Sequence, residues 1–139
     1  MIPYGHQNIG EADIRAVVEI LRSDWLTQGP TVVRFEQAVA AHCGAAHAVA
    51  FNSATSALHS ACRALGLGAG DFLWTSPNTF VASANCALYC GAAVDFVDID
   101  PRTYNMSVDA LREKLVLAKS LWKEELKAKN IPYQDYMID

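Results

Sequence analysis

Small and hydroxyl-bearing residues interrupt an apolar stretch at "FNSATSAL", residues 51–58. A strand that ends in such a turn and opens a helix presents free backbone N–H groups to an anion. The hydroxyls of Ser53, Thr55 and Ser56 would add further donors. The same residue types are also ordinary helix caps, so a phosphate site and a simple cap are both open readings. The patterns GxGxxG and GxxxxGK[ST] are absent, which argues against a dinucleotide or a P-loop nucleotide.

An aromatic residue stands in a second polar turn, "TSPNTFVA", residues 75–82. Phe80 could stack its ring on a flat heteroaromatic ligand, or it could be a core residue in the first turn of a helix. Taken with a phosphate site one crossover away, an accessible ring suggests a planar ligand that carries a phosphate. Pyridoxal phosphate is such a ligand.

Both turns fall in a regular alternation of strands and helices. The pattern predicts strands at 48–52, 72–76 and 93–97, separated by helices at 55–65 and 79–90 that end at Gly66 and Gly91. Helical crossovers of this length imply a parallel sheet buried on both faces, with ligands at the carboxyl ends of the strands. We therefore predict an α/β protein, a three-layer sandwich with a mostly parallel sheet.

Two helices are predicted to precede the sheet. The first, from Glu11 to Arg22, has apolar residues at helical spacing. The second, from Thr31 to His42, is expected to end at Gly44 and to bury one apolar face, made of Val32, Phe35 and Val39.

Charge and cysteine usage narrow the class of partner. The net charge of -4 comes with no basic stripe, so neither nucleic acid nor a membrane is expected as a partner. The four cysteines form no CxxC pair and fit reduced thiols in a cytoplasmic protein. Cys86 and Cys90 would lie one helical turn apart, but buried small hydrophobes are favoured over a metal site, and none is predicted.

The last quarter of the chain differs in character. It contains every lysine of the sequence, and its apolar spacing predicts an amphipathic helix up to about Asn130. We expect residues 1–115 to form one domain and residues 116–139 to be an atypical helical tail. The five lysines of this last quarter, which we expect to be hydrated on an exposed face, are Lys114, Lys119, Lys123, Lys127 and Lys129.

Four ordered segments carry a family resemblance: "WLTQGPTVVRFEQAVA", "AVAFNSATSALHSA", "GDFLWTSPNTFVASANCALYCGA" and "VDFVDIDPRTYNM". They resemble the N-terminal part of the DegT/DnrJ/StrS family of pyridoxal-phosphate sugar aminotransferases, over about residues 2–115. The resemblance implies the large domain of a fold-type I pyridoxal-phosphate transferase. It also implies that Ala54 and Thr55 hold the cofactor phosphate and that Phe80 stacks on the pyridine ring.

The same resemblance implies a substrate side of the site. Tyr4, Thr27, Gln28 and Gly29 match family positions near the sugar nucleotide, for which only proximity is expected. Asp98 and Asp100 match an acidic strand end that is at least as well explained by a solvated turn as by catalysis. The resemblance is strongest to members that aminate C4 of a UDP-linked 4-keto-6-deoxy-N-acetylhexosamine in pseudaminic acid biosynthesis, with glutamate as amino donor and as homodimers.

Transamination also needs a Schiff-base lysine and a carboxylate beside the pyridine nitrogen. In the family both lie beyond the matching segments, so no catalytic residue is predicted here, and the tail lysines are not expected to substitute. The expectation is a truncated N-terminal part, whether from a shortened gene product, a shifted reading frame or an artificial fragment. The alternative is a non-catalytic remnant that binds cofactor weakly or associates with a full-length subunit.

Overall fold

The computed structural model describes residues 5–27 and 29–128. It divides into two compact units, Met1–Asn52 and Ser53–Asp139.

The first unit contains two helices with well-defined ends. Helix α1, Glu11–Leu21, begins where the Asp13 carboxylate accepts a hydrogen bond from the Gly10 amide at 2.8 Å. Helix α2, Pro30–Cys43, starts with proline at its first position and ends at Gly44, whose φ of 65° is left-handed. Both predicted helices are confirmed, as is the glycine stop.

The apolar face predicted for α2 is not buried. Val32 is 48% exposed and Phe35 is 60% exposed, whereas Ala40 is the one residue of this helix that is buried. The expectation that Val32, Phe35 and Val39 point into a core is therefore wrong for the described part of the chain. Helical spacing identifies which face is apolar, but burial also requires a second element to cover that face.

The prediction of a strand at 48–52 is wrong: residues 48–51 have no regular secondary structure. A strand needs a neighbour to receive its backbone hydrogen bonds, and the sheet of this structure contains only the two later strands among the described residues. The amide of Ala50 instead donates to the side-chain oxygen Oε1 of Glu36 at 2.8 Å.

The second unit follows the predicted alternation. Helix α3 is Ala54–Ala64, strand β1 is Phe72–Thr75, helix α4 is Ala82–Tyr89, strand β2 is Ala93–Phe96 and helix α5 is Val108–Ala128. The two strands pair in parallel, with Phe72 opposite Ala93 and Thr75 opposite Phe96. This confirms the α/β class and the parallel crossover.

Helices lie on the two faces of this small sheet but do not bury it, because Phe72 is 66% exposed and Phe96, on the other face, is 46% exposed. The prediction of a sheet buried on both faces is therefore wrong for the described residues. Leu73 packs toward α3 and α4 against a buried cluster of three thiols, Cys62, Cys86 and Cys90. Because successive side chains of a strand point to opposite faces, Trp74 lies on the other face, where it meets Lys114 of α5. The second unit is thus three layers thick around the strands. Among the described residues, no helix is long and apolar enough to cross a membrane.

Candidate functional site

The turn that opens α3 is a helix cap. Ser53 is extended, with φ -157° and ψ 155°, and its hydroxyl oxygen accepts a hydrogen bond from the Ser56 amide at 3.2 Å. The two hydroxyl oxygens of Ser53 and Ser56 are also 3.0 Å apart. The capping role predicted for this turn is therefore present.

The cap leaves two backbone donors available. Among the described residues, none accepts a hydrogen bond from the amides of Ala54 and Thr55, the first two residues of α3. These amides carry the partial positive charge of the helix N-terminus. The side chain of Thr55 is half-buried and lies within the same first turn. The turn therefore combines its cap with free N–H groups of the kind that bind phosphate.

Phe80 is not a core residue. Helix α4 begins at Ala82, three residues later than predicted, so Phe80 lies in the segment that connects β1 to α4. Its side chain is 75% exposed. The alternative of a buried ring in the first helical turn is thus wrong, and the ring is accessible to a ligand.

The two turns share one edge of the sheet. Helix α4 leads from the end of β1 to the start of β2, so its N-terminus lies at the carboxyl edge of the parallel strands. Helix α3 precedes β1, so its C-terminus lies at the amino edge of the strands. Because α3 packs against α4, its N-terminus lies at the carboxyl edge as well. Ala54, Thr55 and Phe80 are therefore at the edge where parallel sheets bind ligands.

The residues predicted near the substrate lie in the first unit. Tyr4 and Gln28 lie outside the described residues. Thr27 is exposed, and Gly29 is the N-cap of α2. A Cβ atom on Gly29 would lie 2.6 Å from the Cβ of Trp25, so close packing alone requires glycine there. A role of these residues at the substrate stays a prediction.

The acidic segment after β2 is engaged in local bonds. The Arg102 guanidinium lies 3.0 Å from the Asp100 carboxylate, and this hydrogen bond holds the pKa of Asp100 below its ordinary value. The Asp98 carboxylate accepts a hydrogen bond from the Ile99 amide at 2.7 Å. These bonds favour the interpretation as a structural turn.

Three of the four thiols belong to the core. Cys86 is 2% exposed, and its thiol donates to the Ser83 carbonyl at 3.3 Å. Burial and a hydrogen bond to Cys86 raise the pKa of Cys62 to about 11, so this thiol stays protonated near neutral pH. Across the described residues there is no cluster of three or more His, Cys, Asp or Glu side chains that could hold a metal.

Lys114 departs from the expected hydrated surface lysine. Its ammonium lies 2.6 Å from the Asp95 carboxylate and 2.6 Å from the Phe96 carbonyl oxygen, and 5.6 Å from the ring centroid of Trp74. The side chain is only 23% exposed. Helical spacing gave no signal for these contacts, because Asp95 and Phe96 lie on β2 and Trp74 lies on β1, all distant from Lys114 in sequence.

The chain matches a known family model over most of its length. Residues 7–120 match the DegT/DnrJ/EryC1/StrS aminotransferase family. The chain belongs to this family. The match includes both turns of the candidate site and four of the five helices in full.

Relatives of known name agree with this membership. The chain is 50% identical over 99 residues to the UDP-4-amino-4,6-dideoxy-N-acetyl-beta-L-altrosamine transaminase of Campylobacter jejuni, covering 71% of this chain and 26% of that protein. The chain thus spans about a quarter of the length of such relatives.

Solved structures give the same result. The sugar aminotransferase Spr1654 of Streptococcus pneumoniae, in its PLP form, has a TM-score of 0.75 at 36% identity, over 81% of this chain and 29% of that one. PseC of Helicobacter pylori, an aminotransferase involved in pseudoaminic acid biosynthesis, also has a TM-score of 0.75 at 36% identity, over 80% of this chain and 30% of that one. The α/β architecture is therefore that of a part of the aminotransferase fold.

Proposed function

We propose that this chain provides the phosphate-binding and ring-binding part of a pyridoxal-phosphate site in a sugar aminotransferase. The observation that carries the proposal is the pairing of two free amides, at Ala54 and Thr55, with an exposed aromatic ring, Phe80, at one sheet edge. Family membership supports it, as does a structural neighbour that was solved in a PLP form.

The residues at this edge fit the chemistry of the cofactor. The amides of Ala54 and Thr55 and the Thr55 hydroxyl are donors, and a phosphate dianion is an acceptor that the helix N-terminus favours. Phe80 offers a flat apolar surface to a heteroaromatic ring. When bound, pyridoxal phosphate supplies an electron sink for amino-group transfer, while these residues bind and orient it.

The reaction we propose for the whole protein is transfer of an amino group from glutamate to the 4-keto carbon of a UDP-linked 4-keto-6-deoxy-N-acetylhexosamine, by a homodimer. The names of the Campylobacter and Helicobacter relatives support a nucleotide sugar as substrate and pseudaminic acid biosynthesis as the context. Thr27, Gln28, Gly29 and Tyr4 are proposed to lie near that substrate.

The cofactor part of the proposal can be tested on this chain by calorimetric titration. We expect pyridoxamine 5'-phosphate to bind more tightly than either inorganic phosphate or pyridoxamine, because only the complete molecule engages both turns. A hydrogen bond to a charged group contributes about 1.5 kcal/mol, so Thr55→Val should weaken binding by about tenfold.

The ring contact has its own matched pair of variants. Phe80→Ala should weaken binding of pyridoxamine 5'-phosphate by at least about fivefold, since an aromatic contact is worth about 1 kcal/mol beyond its buried area. Phe72→Ala removes another exposed phenylalanine, 66% accessible, from the sheet and should leave the affinity unchanged. Equal affinities of the two variants would refute the assignment of Phe80.

A further inference from the structure

A compact loop follows β2 and is held together by its own backbone. The Asp100 amide donates to the Asn105 carbonyl at 2.9 Å, and the Tyr104 amide donates to the Asp100 carbonyl at 2.8 Å. Ile99 and Met106 form an antiparallel bridge across its base. These bonds connect the two sides of the loop, residues 98–107.

Tyr104 at the tip of this loop has an unusual backbone. Its φ is 59°, and it is the one non-glycine residue with positive φ in the part of the chain that the structure describes. A bulky aromatic residue rarely adopts this left-handed conformation, and such residues cluster where a protein fixes functional geometry. In this conformation the Tyr104 carbonyl oxygen accepts a hydrogen bond from the Asn78 side-chain amide, at 3.3 Å.

Asn78 stands two residues before Phe80 in the segment between β1 and α4. Other hydrogen bonds of this segment are local: the backbone amide of Asn78 donates to the Ser76 hydroxyl at 3.3 Å, and the hydroxyl oxygens of Thr79 and Ser83 are 2.9 Å apart. The bond to Tyr104 spans 26 residues and connects the segment to the hydrogen-bonded loop after β2. An exposed ring can present a defined face to a ligand only if the segment that carries it is held in place.

We propose that Asn78 is a positioning residue, which sets the orientation of the Phe80 ring toward the cofactor by anchoring its segment to the carbonyl of Tyr104. This inference rests on the proposed function. Asn78 itself need not touch the cofactor, and its role is to keep the segment in its binding conformation.

Asn78→Asp tests this with nearly unchanged shape, because a carboxylate cannot donate to the Tyr104 carbonyl. Asn105→Asp is the matched control: it makes the same change of charge on an exposed asparagine of the neighbouring loop. Tyr104→Gly is a second control, since it removes the tyrosine side chain but keeps the accepting carbonyl and permits the same φ.

The first readout, in the chain without ligand, is hydrogen exchange of the backbone amides of Asn78, Ser83 and Ala84, which donate to the Ser76 hydroxyl and to the carbonyls of Phe80 and Val81. We expect exchange about tenfold faster in Asn78→Asp than in Asn105→Asp, and near wild-type rates in Tyr104→Gly. Equal rates in the two aspartate variants would overturn the anchoring role.

The second readout is the ratio of affinities for pyridoxamine 5'-phosphate and inorganic phosphate. Asn78→Asp should lower this ratio about fivefold relative to Asn105→Asp, whereas a merely structural residue would change both affinities together. An unchanged ratio with faster exchange would overturn the positioning of Phe80. A wild-type chain with no preference for pyridoxamine 5'-phosphate would instead refute the proposed function and, with it, the role toward a cofactor.

Discussion

Val97 offers a direct test of the packing in the second unit. It is 2% exposed and is among the largest side chains that are fully buried. Its amide donates to the Thr75 carbonyl at 3.0 Å, a bond that alanine retains. Val97→Ala therefore removes two buried methyl groups, at about 0.8 kcal/mol each, plus a small cavity term, and should cost about 2 kcal/mol.

The assay is urea denaturation of the whole chain followed by circular dichroism. With a slope of about 2 kcal/mol/M, the midpoint should fall by about 1 M while the slope stays constant. Val116→Ala is the control, because Val116 lies on α5 and is 70% exposed. That variant should change stability by less than about 0.5 kcal/mol, since alanine is also the better helix former. Equal losses in the two variants would refute the packing around Val97.

Three further outcomes are expected. Gly44→Ala should cost about 1 kcal/mol in urea denaturation, because a Cβ there meets no atom within 4 Å but must adopt a φ of 65°; no loss would contradict the cap. Lys114→Met should raise the pKa of Asp95, observed by NMR titration, toward its ordinary value of 3.8, because the hydrogen bond from Lys114 is the main cause that lowers it. A carboxylate whose pKa is lowered in the folded state stabilises the fold at pH values above its ordinary pKa, and this contribution is lost as the pH falls through the folded pKa. The stability of Lys114→Met should therefore fall less than that of the wild type as the pH is lowered below 3.8. An Asp95 pKa that does not change in the variant would contradict the ion pair. Iodoacetamide should label Cys43 in the folded chain and the remaining thiols only after unfolding, and equal labelling of all four would contradict the core formed by Cys62, Cys86 and Cys90.

The C-terminal ends of helices α2, α3 and α4 were predictable from sequence because their signals are local. Gly44, Gly66 and Gly91 all have positive φ in the structure, with values of 65°, 78° and 78°, and each follows the end of a helix. Glycine is the residue that adopts this conformation without strain, so its position after an apolar helical pattern carries the information by itself.

The prediction of a strand at 48–52 was wrong because the formation of a strand depends on residues that are distant in sequence. Apolar residues in an extended stretch are necessary for a buried strand, but the hydrogen bonds that define it come from other parts of a chain. Strands β1 and β2 formed because they provide this partner for each other. Near residue 50, the available acceptor is the Glu36 side chain, which satisfies one amide without making a sheet.

In the candidate site, too, the features that depend on neighbouring residues were predictable from the sequence, and the contact between distant residues was not. The Ser53 cap and Phe80 lie in short motifs that the sequence displays directly, whereas the exposure of the Phe80 ring was left open by the sequence and comes from the structure. The contact between Asn78 and Tyr104 has no such signal, because it joins residues 26 apart. The loop that supplies the accepting carbonyl also has a tyrosine, Tyr104, at a position with positive φ, where glycine or asparagine would be expected from sequence. In this conformation the Tyr104 carbonyl accepts the bond from Asn78, so the affinity ratio in Asn78→Asp tests the proposed role more directly than a measurement of stability.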